Sequence, residues 1–231
     1  MKSKFFKAVR QNQDSFRLEL GEDTILSLEN YYQGVMKNND LLHLVGKCDA
    51  KEFAIRHILE SLYALRFLPE GSFFADIGTG AGLPGIPCLI ARKDLKGILV
   101  ESKQKKSEFL EKAVRLCDLT GRADVVNKQF DEARNPGVTH IMCRAIDGFA
   151  KKLPRIVNWS NSADLILFAG QNVKSALRKS KLEFEENLIP LSEQRFIYRV
   201  KRGNNLVAEL PGENNTEETE PAAESDAPIF P

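Results

Sequence analysis

Long apolar runs are missing from this sequence. None of its 231 residues lies in a stretch approaching the about 20 consecutive apolar residues that a membrane-spanning helix needs. No membrane partner is therefore expected. The opening residues, Met1-Lys2-Ser3-Lys4-Phe5-Phe6-Lys7, are basic, but no apolar core or small-residue cleavage site follows them. A signal peptide is not expected, and the cytoplasm is the expected compartment. Histidine is sparse: His43, His57 and His140 are scattered without zinc-ligand spacing, and no metal is expected. Cysteine is sparse too. Cys48, Cys88, Cys117 and Cys143 form no Cys-x-x-Cys pair and have apolar flanks, so they read as buried, reduced thiols.

Basic residues are absent from one part of the chain. Residues 203–231 hold seven acidic side chains and no Lys or Arg. All 33 basic residues and 25 of the 32 acidic ones therefore fall in residues 1–202, a surplus of eight positive charges. A basic body favours an anionic partner such as RNA, through phosphate contacts and counterion release. The acidic segment has too few apolar residues to offset its ordering entropy and reads as a disordered tail. Its closing Pro228-Ile229-Phe230-Pro231 reads as part of that tail.

What is present divides into three parts. Residues 1–68 form an N-terminal helical extension, with apolar residues at helical spacing in Ile25, Leu28, Tyr32, Val35 and Met36, and again from Phe53 to Leu65. Residues 69–202 alternate strands and helices. Short apolar strands are predicted at Ser72–Ile77, Gly97–Glu101, Ala123–Asn127, Thr139–Cys143 and Asp164–Phe168, with helices around 84–93, 104–119, 147–158 and 171–180. That order predicts an α/β fold with a mostly parallel sheet covered by helices on both faces. Leu182–Pro190 and Arg195–Lys201 read as an antiparallel hairpin at one sheet edge. Residues 203–231 are the tail.

The strongest motif is Asp76-Ile77-Gly78-Thr79-Gly80-Ala81-Gly82-Leu83-Pro84-Gly85-Ile86-Pro87. It begins at a strand end and runs into a helix. Its glycines allow a sharp turn and a close backbone approach to a ligand. The helix start offers unpaired N–H groups that favour a carboxylate by about 0.3–1 kcal/mol. Pro84 suits a first helical turn. The spacing is Gly-x-Gly-x-Gly, and Leu83 stands where the dinucleotide fingerprint has its third glycine. No Gly-Lys-Ser/Thr follows, which excludes a P-loop. Glu101 ends the second strand, where a carboxylate can take both hydroxyls of a ribose. A ligand that carries an ammonium and a carboxylate in place of pyrophosphate tolerates Asp76 beside the turn. These features favour S-adenosylmethionine over a nicotinamide cofactor.

With Arg56-His57, Ser61-Leu62, Glu101-Ser102, Lys105-Lys106, Phe109-Leu110 and Arg144-Ala145, the glycine loop resembles the bacterial glucose-inhibited division protein B family. The resemblance runs from about residue 25 to 200. It implies a Rossmann-like S-adenosylmethionine methyltransferase fold with an antiparallel edge strand and a helical extension. It implies formation of 7-methylguanosine in 16S ribosomal RNA, with that RNA or the small ribosomal subunit as partner; a monomer is expected beside it. It also implies that Gly78 and Leu83 line the cofactor, that Glu101 holds its ribose and that Phe130 and Asp131 border its adenine. Arg144 would sit between the methionine end and the incoming base, as a positioning group. Asp76, Gly80 and Gly82 complete the expected cofactor set, and Arg56, His57, Lys105 and Lys106 are the candidate RNA contacts.

Some residues depart from the family pattern. Gln129-Phe130-Asp131 stands for Arg-x-Glu, Ala169-Gly170 for Lys-Gly, Glu60 for Asp, and Asp40-Leu41-Leu42-His43 for Asn-Leu-Thr. A methyltransferase with another RNA or small-molecule substrate, or an inactive RNA-binding relative, stays open at this point. Bland readings stand beside the functional ones. His57 reads equally as a structural histidine, Cys143 as a strand-core thiol, and the Lys103–Arg115 charges as a solvated helix face. No acid–base cluster adjoins the loop, and guanine's ring nitrogen seven needs none, because its lone pair is free.

Overall fold

A computed structural model of the chain describes residues 2–144 and 148–202. The expected acidic tail, residues 203–231, and Ala145 of the Arg144-Ala145 match lie outside the described residues. Among the described residues no helix is long and apolar enough to cross a membrane.

The first helix, α1 (Lys4–Asn12), starts where Ser3 accepts the Phe6 N–H on its hydroxyl at 3.0 Å. It buries Phe5, Phe6, Ala8 and Val9. The longest helix, α2 (Glu22–Leu42), buries Ile25, Leu28, Tyr31 and Val35 along one stripe. A third helical run, 50–67, is continuous but not uniform. It opens as α3 (Ala50–Glu52), widens into a π-helical turn (Phe53–Leu59), and ends in α4 (Glu60–Leu62) and a 3-10 turn (Tyr63–Phe67). Left-handed backbone at Arg17 (φ 57) and His43 (φ 48) separates these runs. The helical extension is thus folded back on itself, which apolar periodicity alone does not show.

The strands are β1 (Phe73–Ile77), β2 (Lys96–Val100), β3 (Ala123–Val126), β4 (His140–Arg144), β5 (Asp164–Ala169), β6 (Glu185–Leu188) and β7 (Phe196–Val200). They form one sheet in the order β3-β2-β1-β4-β5-β7-β6. The pairs among β1 to β5 are parallel, and β7 runs antiparallel between β5 and β6. The expected hairpin is there, with β6 on the outside.

Period-two alternation assigns the core. Phe74, Leu99, Met142, Ile166 and Ile197 point to the face covered by α1, α2, the 50–67 run, α5 (Gly85–Ala91) and α6 (Gln104–Leu116). Ala75, Ile77, Ile141, Cys143, Leu165 and Tyr198 point to the face covered by α7 (Phe149–Ser160) and α8 (Asn172–Lys179). The N-terminal helices therefore share one core with the sheet. Cys88 and Cys143 are buried as expected, but Cys48 and Cys117 are only half-buried, because they lie at helix and loop ends. Successive strands are added to one side of β1 up to β3 and then to the other side from β4, so the strand order switches between the parallel neighbours β1 and β4. That crevice at the carboxyl ends of the strands is where such sheets bind ligands.

Candidate functional site

The glycine loop leaves β1 and is tied to β2 at once. Gly78 and Thr79 both donate backbone N–H groups to the Val100 carbonyl, at 2.8 and 3.2 Å. The Thr79 carbonyl then accepts from Gly82 and Leu83, at 2.9 and 3.1 Å, which closes the turn. Gly80 stands at φ +60, and a Cβ there would meet nothing within 4 Å. Its N–H donates to Glu101 Oε2 at 3.0 Å, and the other oxygen of Glu101 accepts from the Lys103 N–H at 2.8 Å. The acid at the end of β2 is therefore bonded to the turn after β1, and both groups face one cleft.

Asp76 lies fully buried beneath the turn. Its Oδ2 accepts from the Thr79 hydroxyl at 2.6 Å and from the Gly85 N–H at 2.8 Å, while Oδ1 has no partner. Burial raises its pKa to about 7, and those two hydrogen bonds only partly oppose the rise. A Cβ at Gly85 would lie 2.6 Å from Leu99 Cδ2 and 2.9 Å from Asp76 Oδ2. This corrects one expectation: the helix-start N–H of Gly85 is taken by the protein's own carboxylate, not left for a ligand.

The cleft over the turn has a volume of about 340 Å³. Gly78, Thr79, Gly80, Ala81 and Leu83 form its floor, and Glu101, Lys103 and Lys106 one wall. His57 and Arg144 face it from the other side, and Leu44, Val45 and Gly46 close it from the loop after α2. That loop is held by Asn39, whose side chain both donates to the Val45 carbonyl (3.1 Å) and accepts from its N–H (2.9 Å). Lys106 Nζ donates to the His43 carbonyl at 3.2 Å, linking the loop to α6.

Arg144 ends β4 and is mostly buried. One guanidinium nitrogen donates to the Arg56 carbonyl at 2.6 Å and lies 3.3 Å from Glu60 Oε2. The other donates to the Ser61 hydroxyl at 3.3 Å. Burial draws its pKa down while Glu60 pulls it up, and the guanidinium stays a cation. His57 lies beside it on the π-helical turn, with Nδ1 buried and unpartnered. Burial first, then the charges of Arg144 and Arg56, lower its pKa to about 4. His57 is therefore a neutral imidazole at physiological pH.

These residues fit a methionine-bearing nucleoside. Glu101 offers carboxylate oxygens to ribose hydroxyls and Gly80 leaves space beside the backbone, while Asp76, expected among the cofactor residues, does not line the cleft and braces the turn from beneath through Thr79 and Gly85. The match to a known family is direct. The family described as rRNA small subunit methyltransferase G matches residues 24–191. The chain belongs to that family. A ribosomal RNA small subunit methyltransferase G from Pelotomaculum thermopropionicum is 31% identical over 148 residues, 61% of each chain. One from Xanthomonas axonopodis pv. citri is 36% identical over 124 residues, covering 53% of this chain and 58% of that one. The chain thus spans about three fifths of the length of these two relatives. Among solved structures, the mitomycin 7-O-methyltransferase MmcR superposes with a TM-score of 0.56 at 16% identity, over 87% of this chain and 69% of that one. The expected Rossmann-like methyltransferase fold is borne out by these likenesses and by the sheet order.

The cleft gathers Gly78, Gly80, Leu83, Glu101, His57, Lys106 and Arg144 from the residues singled out in the sequence. Others lie elsewhere. Gly82 faces inward, where a Cβ would meet Ile86 Cδ1 at 2.4 Å. Phe130 is buried edge-on against Trp159 in the core under α7, and Asp131 pairs with Arg155 of that helix. Neither lines the cleft. The Arg56 side chain pairs with Glu52 at 2.5 Å, and only its carbonyl serves the site, through Arg144. Lys105 is exposed on α6 away from the cleft.

Several residues that the sequence did not assign to the site support it. Tyr31 donates its hydroxyl to the Ala81 carbonyl at 2.8 Å, holding the turn from α2. Glu60 and Arg195 stand behind Arg144. The 44–46 loop supplies a wall. The apolar spacing pointed instead to the neighbouring Tyr32, which is only half-buried, whereas Tyr31 is the fully buried one. The others depend on contacts between distant segments.

Proposed function

We propose that this chain is an S-adenosylmethionine-dependent methyltransferase that forms 7-methylguanosine in 16S ribosomal RNA. The observation that carries the reading is the joining of Glu101 to the glycine turn through Gly80, in a cleft that Arg144 faces from the opposite side. When bound, the cofactor would supply an electrophilic methyl on a sulfonium, with a neutral thioether as its leaving group. Glu101 holds the ribose, and Gly78, Gly80 and Leu83 shape the floor under it. Arg144 positions the incoming base from the far wall. Guanine's ring nitrogen seven has a free lone pair, so no residue has to remove a proton. Catalysis then rests on alignment and exclusion of water. His57, as a neutral imidazole, supports that reading, because it offers a hydrogen bond to a base without the basicity of a proton acceptor near neutral pH. Lys103 and Lys106 on the rim, with the basic surplus of residues 1–202, suit RNA phosphates. The same reading takes the protein as a monomer in the cytoplasm acting on the small subunit or its RNA, with residues 1–68 as a helical extension serving the site.

The test is incubation with labelled S-adenosylmethionine and unmethylated 30S subunits or 16S RNA. Borohydride and aniline cleavage then maps 7-methylguanosine. One modified guanine is expected. Label recovered on a cytosine or on protein, or no modified base at all, rejects the assignment.

A further inference from the structure

Glu60 is 1% exposed, outside the cleft, and shared by two cations from distant parts of the chain. Arg144, at the end of β4, meets Oε2 at 3.3 Å. Arg195, in the connection between β6 and β7, meets Oε1 with two nitrogens, Nε at 2.9 Å and a terminal nitrogen at 2.7 Å. Arg195 is itself anchored, because its N–H donates to the Ser192 hydroxyl at 3.0 Å. The shorter contacts are therefore on the Arg195 side, and the Arg144 contact is the longer one. A carboxylate held this way has one rotamer. Released from Arg195, it is free to turn both oxygens toward Arg144 and rotate that guanidinium away from the Arg56 carbonyl and the Ser61 hydroxyl.

We propose that Glu60 and Arg195 are positioning residues that set the orientation of the Arg144 guanidinium at the cleft, so that the β6–β7 connection belongs to the working site although it touches neither cofactor nor floor. The proposal rests on the methyltransferase reading only for its effect on rate. The orientation of Arg144 is independent of that reading. The physical reason is the sensitivity of in-line transfer to placement: a displacement of about 1 Å can cost about 100-fold in rate. A group that faces the incoming base must be locked by neighbours that do not touch it.

The experiment uses the full chain and the variants Arg195→Ala, Arg195→Lys and Glu60→Gln. Cofactor affinity is read by calorimetry with S-adenosylmethionine, kcat and KM with 16S RNA, and the state of Arg144 from its side-chain Nε–H resonance. Arg195→Ala should keep cofactor Kd within about twofold, lower kcat by about 10-fold, and shift or broaden the Arg144 resonance. Arg195→Lys restores the charge but not both N–H groups, and should recover part of the loss. If Glu60→Gln fails to fold, the two Arg195 variants still decide. A rise in KM with unchanged kcat would make Arg195 a direct RNA contact and overturn the proposal. So would an Arg144 resonance unmoved by Arg195→Ala. Wild-type protein that methylates no RNA, combined with an Arg144 resonance that moves in Arg195→Ala, rejects the functional reading and supports the positioning.

Discussion

Tyr31 and Ala81 are 50 residues apart in the chain, yet the Tyr31 hydroxyl donates to the Ala81 carbonyl at 2.8 Å in a fully buried contact. One bond thus makes the long N-terminal helix a support for the glycine turn. Tyr31→Phe leaves the Ala81 carbonyl buried without its donor. A loss of about 1–3 kcal/mol in unfolding free energy is expected, read by urea denaturation. Weaker S-adenosylmethionine binding should accompany it. Unchanged stability and affinity together would show that the turn holds without α2.

Gly80 and Gly85 should fail differently. A Cβ at Gly85 meets Leu99 and Asp76 below 3 Å, so Gly85→Ala should lower the melting temperature. A Cβ at Gly80 meets nothing within 4 Å, although φ is +60. Gly80→Val projects bulk toward the cleft and should reduce cofactor affinity by more than its backbone strain lowers stability. Calorimetry and thermal melts on both variants check the contrast. Equal affinity losses would contradict the assignment of Gly80 to the ligand side.

Asp76 titrates near 7 in the fold, against about 3.9 in an unfolded chain. The folded state binds the extra proton between those values, so this group's contribution to stability falls as pH rises from about 4 to about 7. His57 contributes in the opposite sense over the same range, because its folded pKa of about 4 lies below the unfolded value. Asp76→Asn isolates the first effect. The variant's melting temperature relative to wild type should rise from acid to neutral pH. A cation in the cleft should also lower the Asp76 pKa, so cofactor binding near pH 6.5 should release protons. Calorimetric enthalpies in buffers of different ionisation heat measure that release. Enthalpies independent of buffer in the wild type would contradict it.

At saturating S-adenosylmethionine, which keeps Asp76 ionised, the rate should be nearly flat through pH 6–8, changing by less than about twofold, because His57 is neutral across that range. His57→Ala should alter RNA affinity more than the rate at saturating RNA. A rate that climbs through a pKa near 6.5, and loses that climb in His57→Ala, would make His57 a base and demand another mechanism.

The parallel sheet was legible because its strands are short, apolar and separated by helical periodicity. Its ligand edge was legible because the glycine turn follows β1 directly. Glu101 was legible for a similar reason: a residue at the end of a neighbouring parallel strand is carried to the same edge whatever the loops do. Phe130 and Asp131 show the limit of that logic. They follow β3, as expected, but Trp159 and Arg155 on α7 engage them, and a sequence does not announce which helix will cover a loop. The π-helical turn at Phe53–Leu59 was equally hidden, since apolar spacing cannot distinguish it from an α-helix.

The sequence by itself determined the order of strands and helices, the turn and the acid at the next strand end. Each depends on residues within a few positions of one another, where sterics and periodicity decide. Tertiary structure alone decided what surrounds that nucleus. It brought Tyr31 under the turn, set Glu60 between Arg144 and Arg195, and left His57 neutral. Each of these depends on burial and on charges from remote segments. Desolvation and Coulomb interactions act through space, so their outcome exists only once the chain has packed.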